Sequence, residues 1–365
     1  MLYGLYIHIP FCIKKCLYCN FYSITDLSMI DDFINSLLEE IKILENKDVI
    51  FDTIYIGGGT PSVIEIKQIS KIINAAYKYF KINTDSEITI ETNPCSVNFE
   101  KFFEYKKLGI NRINIGIQSF NDRILSFLGR SHSSKDAISA IKWAKNAYFD
   151  NIGLDFIYEI PHQSKKQFFK DLSKGISYTP EHLSCYILTY ESDTLFYKKN
   201  RADIFEDAIS FIESNNYHQY EISNFASEIS TRSRHNRKYW HHIPYIGIGP
   251  SAHSFINNNR YWNFSDVDKY VKALKSGILP IEGREVLTRS EFMIESIYLG
   301  LRQVKGISIF EFEKKYNVSF FDLFKELIID LRKDGFLNLS EHFCALTTKG
   351  MKYLDSVAER FIYYI

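Results

Sequence analysis

Through its first 215 residues the chain alternates short apolar runs with longer amphipathic stretches, and that rhythm leaves few folds open. Residues 3–9, 53–57, 87–91, 112–117, 152–157 and 183–188 read as strands. Residues 28–46, 65–81, 98–108, 134–147, 165–176 and 201–215 read as helices between them. Strands separated by helices pair in parallel as βαβ units. Six such units predict an α/β fold, a barrel or partial barrel. The unusual residues sit just after the strands: a cysteine loop, Gly57-Gly58-Gly59-Thr60-Pro61-Ser62, Glu91-Thr92-Asn93-Pro94 and Gln118-Ser119-Phe120, with Asp155 inside the fifth run. In a parallel barrel these ends share one face, where sites are built.

The cysteine loop is the sharpest of these signals. Cys12, Cys16 and Cys19 follow Tyr6-Ile7-His8-Ile9-Pro10-Phe11 with C-x₃-C-x₂-C spacing. Three thiolates are one fewer than a four-iron cube takes, which leaves one iron open for an exchangeable ligand. The same spacing fits one stripe of a helix carrying small hydrophobes. Pro10 and the alternation of Ile7 and Ile9 favour a strand running into a loop instead. Lys14 and Lys15 place cations beside the thiols, which favours thiolate. A structural zinc site usually wants four ligands, and His8 is the only local candidate for a fourth. The run resembles the cluster loop of the radical S-adenosylmethionine (SAM) enzymes. In such a site the open iron takes the amino and carboxylate groups of SAM, and the cofactor carries the hard chemistry. A glycine-rich turn after a strand, such as Gly57 to Gly59, lets the backbone approach a ligand closely.

Composition sets the outer bounds. At 365 residues the chain is long for one domain, and its 45% hydrophobic content is ample for a core. Formal net charge is zero, so nothing points to a polyanionic partner. No run of about 18 apolar residues occurs, so no membrane span is expected, and peripheral membrane contact stays open. No signal peptide is visible at the N-terminus, so the six cysteines read as cytoplasmic thiols. Cys95, Cys185 and Cys344 are scattered and read as packing residues.

Three segments are expected: a barrel core over 1–215, a connecting segment that completes the barrel over 216–287, and a C-terminal domain over 288–365. The middle segment reads as irregular with short strands. The last has helices near 290–301, 308–316 and 319–334, a hairpin at 335–339 and 343–346, and a final helix from Thr348. That order predicts a mostly helical, winged-helix-like domain. From Glu291 to the end, ten Lys and Arg face eleven Asp and Glu, which disfavours nucleic acid and suits a lid or docking module.

Nearly the whole chain resembles the coproporphyrinogen III oxidase-like branch of the radical SAM superfamily, and within it the HemW-type heme chaperones. Besides the cysteine and strand-end runs, Gly129-Arg130-Ser131-His132 and Tyr220-Glu221-Ile222-Ser223-Asn224-Phe225-Ala226 carry the likeness. The resemblance implies a partial (β/α)6 TIM-like radical SAM barrel and a [4Fe–4S] cluster on Cys12, Cys16 and Cys19. It implies SAM near Tyr6, Gly58, Gly59, Thr60, Glu91, Gln118, Arg130 and Asp155, with Tyr18 packing on adenine. His8 and His132 are expected in structural or supporting roles.

Two features choose between branches. The coproporphyrinogen dehydrogenases carry a further cysteine two residues past the third, where Phe21 stands here. The heme chaperones carry His-Asn-x-x-Tyr-Trp, which is complete as His235-Asn236-Arg237-Lys238-Tyr239-Trp240. Imidazole can ligate heme iron, and flat rings can pack on a porphyrin. His235, Tyr239 and Trp240 are therefore the heme candidates, with Arg234, Arg237 and Lys238 for propionates. His241, His242 and His253 are rival ligands. The implied function is a chaperone that binds heme, cluster and SAM and passes heme to an acceptor protein. The alternative is an enzyme that oxidatively decarboxylates coproporphyrinogen III, and a third reading is a cluster-dependent docking protein with no tetrapyrrole. One stretch departs from the family's Gly-containing loop: Glu159 and His162 replace glycines in Phe156-Ile157-Tyr158-Glu159-Ile160-Pro161-His162-Gln163. If either glycine held a positive φ, the loop's path is altered.

Overall fold

The structure is a computed structural model that describes residues 2–189 and 203–365. Residues 201–202 of the expected sixth helix lie outside the described residues. The chain divides into two compact units, residues 1–204 with 244–285, and residues 205–243 with 286–365. These units regroup the three expected segments: 205–243 goes with the C-terminal elements, and 244–285 goes with the barrel strands.

The first unit begins with β1 (Leu2–Ile9), α1 (Ile30–Ile43), β2 (Asn46–Gly58), α2 (Ile66–Tyr79) and β3 (Phe80–Thr92). It continues with α3 (Phe99–Lys107), β4 (Arg112–Gln118), α4 (Asp122–Phe127), α5 (Ser134–Asn146), β5 (Ile152–Tyr158), α6 (Lys165–Ile176) and β6 (His182–Ile187). The six strands pair in parallel in chain order, as consecutive βαβ units require.

Alternation along the strands builds two faces. Ile7, Ile54, Ile56, Ile90, Ile113, Ile115, Leu154 and Phe156 are fully buried. The intervening positions carry Tyr6, His8, Tyr55, Thr89, Glu91, Arg112, Asn114, Asp155, His182 and Ser184. A strand with period two thus places a polar lumen opposite an apolar helix-facing surface. The helices start where the sequence supplies caps: α2 has a Glu65–Gln68 capping box and α5 a Ser133–Asp136 box.

The second unit supplies α7 (Phe205–Ser214), the antiparallel pair β7 (His218–Glu221) and β8 (Asn224–Ala226), and α8 (Arg234–Trp240). The chain then returns to the first unit with β9 (Tyr245–Ile248), β10 (His253–Ile256), β11 (Asn259–Asn263), α9 (Val267–Lys275) and β12 (Ile281–Val286). Within residues 244–285 the expected short strands extend the sheet: β9 lies parallel to β1, and β10 and β11 follow antiparallel. Strands of four or five residues broken by glycine turns are too short to show a period.

The second unit ends with α10 (Arg289–Arg302), β13 (Ile307–Ser308), α11 (Ile309–Tyr316), α12 (Phe320–Lys333), β14 (Leu337–Leu339), β15 (Phe343–Leu346), α13 (Thr348–Lys352) and α14 (Leu354–Ile362). Its small sheet has the order β13-β15-β14, with β14 and β15 forming the expected hairpin beside α11 and α12. Phe312, Phe320, Phe324 and Phe361 stack edge to face in its core.

Candidate functional site

The cysteine loop leaves β1 and returns beside it. Cys12 N donates to Ile24 O at 2.9 Å, and Ile24 N donates to Pro10 O at 2.7 Å. These bonds make a loop, not a helix, as Pro10 predicts. The glycine turn after β2 docks on it: Gly59 N donates to Ile9 O and Thr60 N to Phe11 O, each at 2.8 Å. Cys12 is buried, and its Sγ lies 3.4 Å from Thr60 Oγ1. A Cβ at Gly59 would stand 2.8 Å from Phe11 O and 3.1 Å from Cys12 Sγ, so the loop can close only on glycine.

Arg130 ties the loop to the next strands. Its Nη1 lies 3.6 Å from Cys16 Sγ and 3.4 Å from Tyr18 Oη, and Nη2 donates to Gly116 O at 2.8 Å. Leu17 N reaches Leu128 O at 3.4 Å on the same side. Tyr18 packs on the apolar cluster of Ile124, Leu128, Ile157, Ile160 and Leu188. Cys16 and Cys19 are half-buried.

The expectation that the flanking lysines favour thiolate is only partly met. Burial pushes the Cys19 thiol above its usual value, and the neighbouring Cys16 and Cys12 add to that, while the pull from Lys15 is smaller. Both lysines are exposed, where solvent screens their charge.

The lumen holds the carboxylates. Glu91 Oε1 accepts from Tyr55 Oη at 2.6 Å, and Oε2 accepts from Gly58 N at 3.3 Å. Burial, with the charge of Asp155, pushes Glu91 up to about 7. Asp155 accepts twice from Asn114 Nδ2, at 2.9 and 3.0 Å, and burial raises it to about 6. His8 sits under the glycine turn, hydrogen-bonded to Tyr6 Oη at 3.0 Å and to Tyr22 O at 2.9 Å. Burial holds it down to about 4, so it is neutral. His132 is buried at Ile117 O and is also held down to about 4. Both fill the supporting roles expected. Gln118 ends β4 with φ 64°, a left-handed conformation, and its Oε1 is buried without a hydrogen-bond partner.

The structure therefore brings Tyr6, Tyr18, Gly58, Gly59, Thr60, Glu91, Gln118, Arg130 and Asp155 to the same strand ends as the three cysteines. The residues fit the groups implied for them. Gln118 Oε1 and Arg130 Nε are buried and unsatisfied at this face, and a ligand with donor and acceptor groups would satisfy them. Among the described residues no three His, Cys, Asp or Glu converge as one metal ion requires. A four-iron cube takes one thiolate per iron and needs no such convergence. Sequence reasoning missed Tyr55, Asn114 and Arg112. Their signal was present: each is a polar residue at an inward position of a strand whose other face is apolar.

The His-Asn-x-x-Tyr-Trp run forms α8 in the second unit. Ser233 caps it by accepting from Asn236 N. His235 is 0% exposed, and its Nε2 lies 2.8 Å from Tyr239 Oη. Trp240 is half-buried beneath the Arg302 guanidinium, 4.5 Å from the ring centroid, and its Nε1 has no hydrogen-bond partner. Arg302 Nε also lies 2.7 Å from Glu221 Oε2, so the Tyr220–Ala226 run holds the same corner. Lys238 is buried, which leaves Arg234 and Arg237 as the half-exposed cations of the run. Of the rival histidines, His242 stacks on Phe292 at 4.4 Å and meets Glu295, while His253 stacks on Trp262 at 5.6 Å. His241 is exposed.

Glu159 has φ 55° and His162 has φ 66°, so both hold the conformation glycine would adopt. Glu159 Oε1 accepts from Ile204 N at 3.2 Å, which offsets part of that cost.

Comparison with known proteins agrees with this architecture. Residues 6–174 match the Radical SAM superfamily and residues 287–353 the HemN C-terminal domain. The solved Escherichia coli coproporphyrinogen III oxidase (HemN), described as a radical SAM enzyme, superposes with a TM-score of 0.87 over all of this chain and 91% of that one. At 22% identity that likeness shows the fold alone. The Heme chaperone HemW of Bacillus subtilis is 34% identical over 94% of this chain and 95% of its own. That of Lactococcus lactis is 33% identical over 98% and 96%. A third of residues shared along nearly the full length of both chains is family-level similarity, and the protein belongs to the HemW heme chaperone family of the radical SAM superfamily.

Proposed function

We propose that this chain holds a [4Fe–4S] cluster on Cys12, Cys16 and Cys19 and SAM at the barrel mouth, binds heme along α8, and hands heme to an acceptor protein in the cytoplasm. The carrying observation is at Phe21. The cysteine loop is fully built against Gly59, Thr60 and Arg130, yet the position of the dehydrogenases' further cysteine is a phenylalanine that is 67% exposed. A bound four-iron cluster with an open iron supplies one-electron chemistry and a chelation point for the amino acid part of SAM.

The chain's own residues do the rest. Gly58 and Gly59 let the backbone approach the ligand. Glu91 and Asp155 accept hydrogen bonds, Gln118 offers a free carbonyl, and Tyr18 offers a ring. Arg130 places a fixed cation beside Cys16. In the second unit, Tyr239 and Trp240 are the aromatic surface for a porphyrin. His235 Nε2 reaches an iron only after it gives up its bond to Tyr239. Among the described residues no helix is long and apolar enough to cross a membrane.

Two assays test this reading. Anaerobic incubation of the reconstituted protein with coproporphyrinogen III and SAM is expected to leave the tetrapyrrole unchanged, and accumulation of protoporphyrinogen IX would make the chain a dehydrogenase. Heme titration followed at the Soret band is expected to show binding that weakens at least tenfold in H235A. No binding in either protein would remove heme from the account, and equal binding would move the ligand elsewhere.

A further inference from the structure

The barrel lumen holds one cation that no hydrogen bond explains. Arg112 opens β4, is 1% exposed and heads the fully buried side chains by volume. Its Nε and Nη1 are buried without a hydrogen-bond partner. Strand register pairs it with Thr89 on β3. One step further along the same inward face, Glu91 on β3 pairs with Asn114 on β4, and Asn114 bonds Asp155 on β5. A guanidinium cannot shed its proton, so an unmatched buried one is expensive to keep. Local rules are broken in this way where function asks for it.

We infer that Arg112 is a positioning residue for the SAM site: its buried guanidinium, one step along the same inward face from Glu91, Asn114 and Asp155, supplies the positive charge against which the two carboxylates are held to accept from the ligand's ammonium and ribose hydroxyl groups. The inference rests on the proposed site and names a residue outside it. The groups that face the two carboxylates are Tyr6 from β1, Tyr55 from β2, Arg112 and Asn114 from β4, Ser184 and Cys185 from β6, and Arg130 from the turn after α4. Arg130 is already committed to Cys16, Tyr18 and Gly116 O. His182, on β6, is held neutral by burial and by Arg112 itself. Alongside the hydrogen bonds from Tyr55 and Gly58 to Glu91 and from Ser184 and Asn114 to Asp155, and with Arg130 at Asp155, Arg112 pulls both carboxylates down against the burial that raises them.

The test uses the full chain and R112M, which keeps the side chain's apolar length and removes its charge. Infrared titration of the carboxylates in ligand-free protein is expected to move their midpoint up by at least one pH unit in R112M. Anaerobic SAM binding is expected to weaken about tenfold near neutral pH, and to recover towards the parent value as pH rises. Thermal stability is expected to hold or increase, because an unpaired buried charge has gone. A purely structural Arg112 would instead lower stability and leave the titration where it was. An unmoved midpoint overturns the inference. So does a failure to fold by both R112M and R112Q, which would make the guanidinium part of the scaffold. If the parent chain binds no SAM, the site reading fails by itself, while the ligand-free titration still decides whether Arg112 sets these carboxylates.

Discussion

Gly58 is glycine because His8 lies under it. A Cβ there would stand 2.7 Å from the imidazole, and the residue's φ of 110° is one that side chains rarely adopt. Gly58 N must also reach the Glu91 carboxylate. G58A is therefore expected to displace this turn from the cysteine loop and to lower SAM affinity at least tenfold, measured by anaerobic equilibrium dialysis. The opposite substitution is expected to be mild at His162, an exposed residue with positive φ. H162G should leave stability unchanged or raise it by about 1 kcal/mol in urea unfolding, since a left-handed residue costs about that much and glycine does not pay it. Glu91 carries a pH signature. Its folded value of about 7 lies above the ordinary 4.5, so folding favours its protonated form. The stability it contributes is complete below pH 4.5 and is lost as pH rises through about 7. Calorimetry of the ligand-free protein is expected to show the midpoint falling across that window, and E91Q should flatten the fall.

At the scale of elements, the barrel's edge is fixed by one buried carboxylate. Glu40 on α1 accepts from Gly249 N at 2.8 Å, from Asn263 Nδ2 at 2.6 Å and from Tyr270 Oη at 2.5 Å. It thereby joins α1 to α9, to β11 and to the turn after β9, which packs on the end of β1 at His8. E40A leaves Gly249 N and Tyr270 Oη without an acceptor and Asn263 Nδ2 with Gly249 O alone, and is expected to cost about 2–4 kcal/mol in urea unfolding, because each orphaned group forfeits its desolvation. Nothing in the sequence near Glu40 announces this, since its partners lie more than 200 positions away. The six parallel strands and their helices were legible because each is long enough to show its period. The strand β9 was not, because four residues around Gly247 show none. That Cys12, Cys16 and Cys19 lie in a loop after a strand was legible from Pro10 and the alternation of Ile7 and Ile9. Arg112, Asn114 and Tyr55 were hidden because a polar residue inside a strand acquires meaning only when the lumen it faces is known. Glu159 and His162 show the converse: nothing in their side chains announces a left-handed backbone, yet both adopt one.

At the scale of the molecule, the two units carry different parts of the proposed work. The cluster and SAM residues all belong to the first, and His235, Tyr239 and Trp240 belong to the second. Removing one set is therefore expected to spare the other: C12S, C16S and C19S should abolish cluster assembly while leaving heme titration of α8 within a few fold of the parent protein. The central claim is a four-iron cluster held by three cysteines in a protein that also binds heme. Iron, sulfide and heme analysis of one sample prepared under strict oxygen exclusion tests it directly. About four iron and four sulfide per chain, with a Soret band on adding heme, is the predicted result; zinc, or no metal after reconstitution, would contradict it.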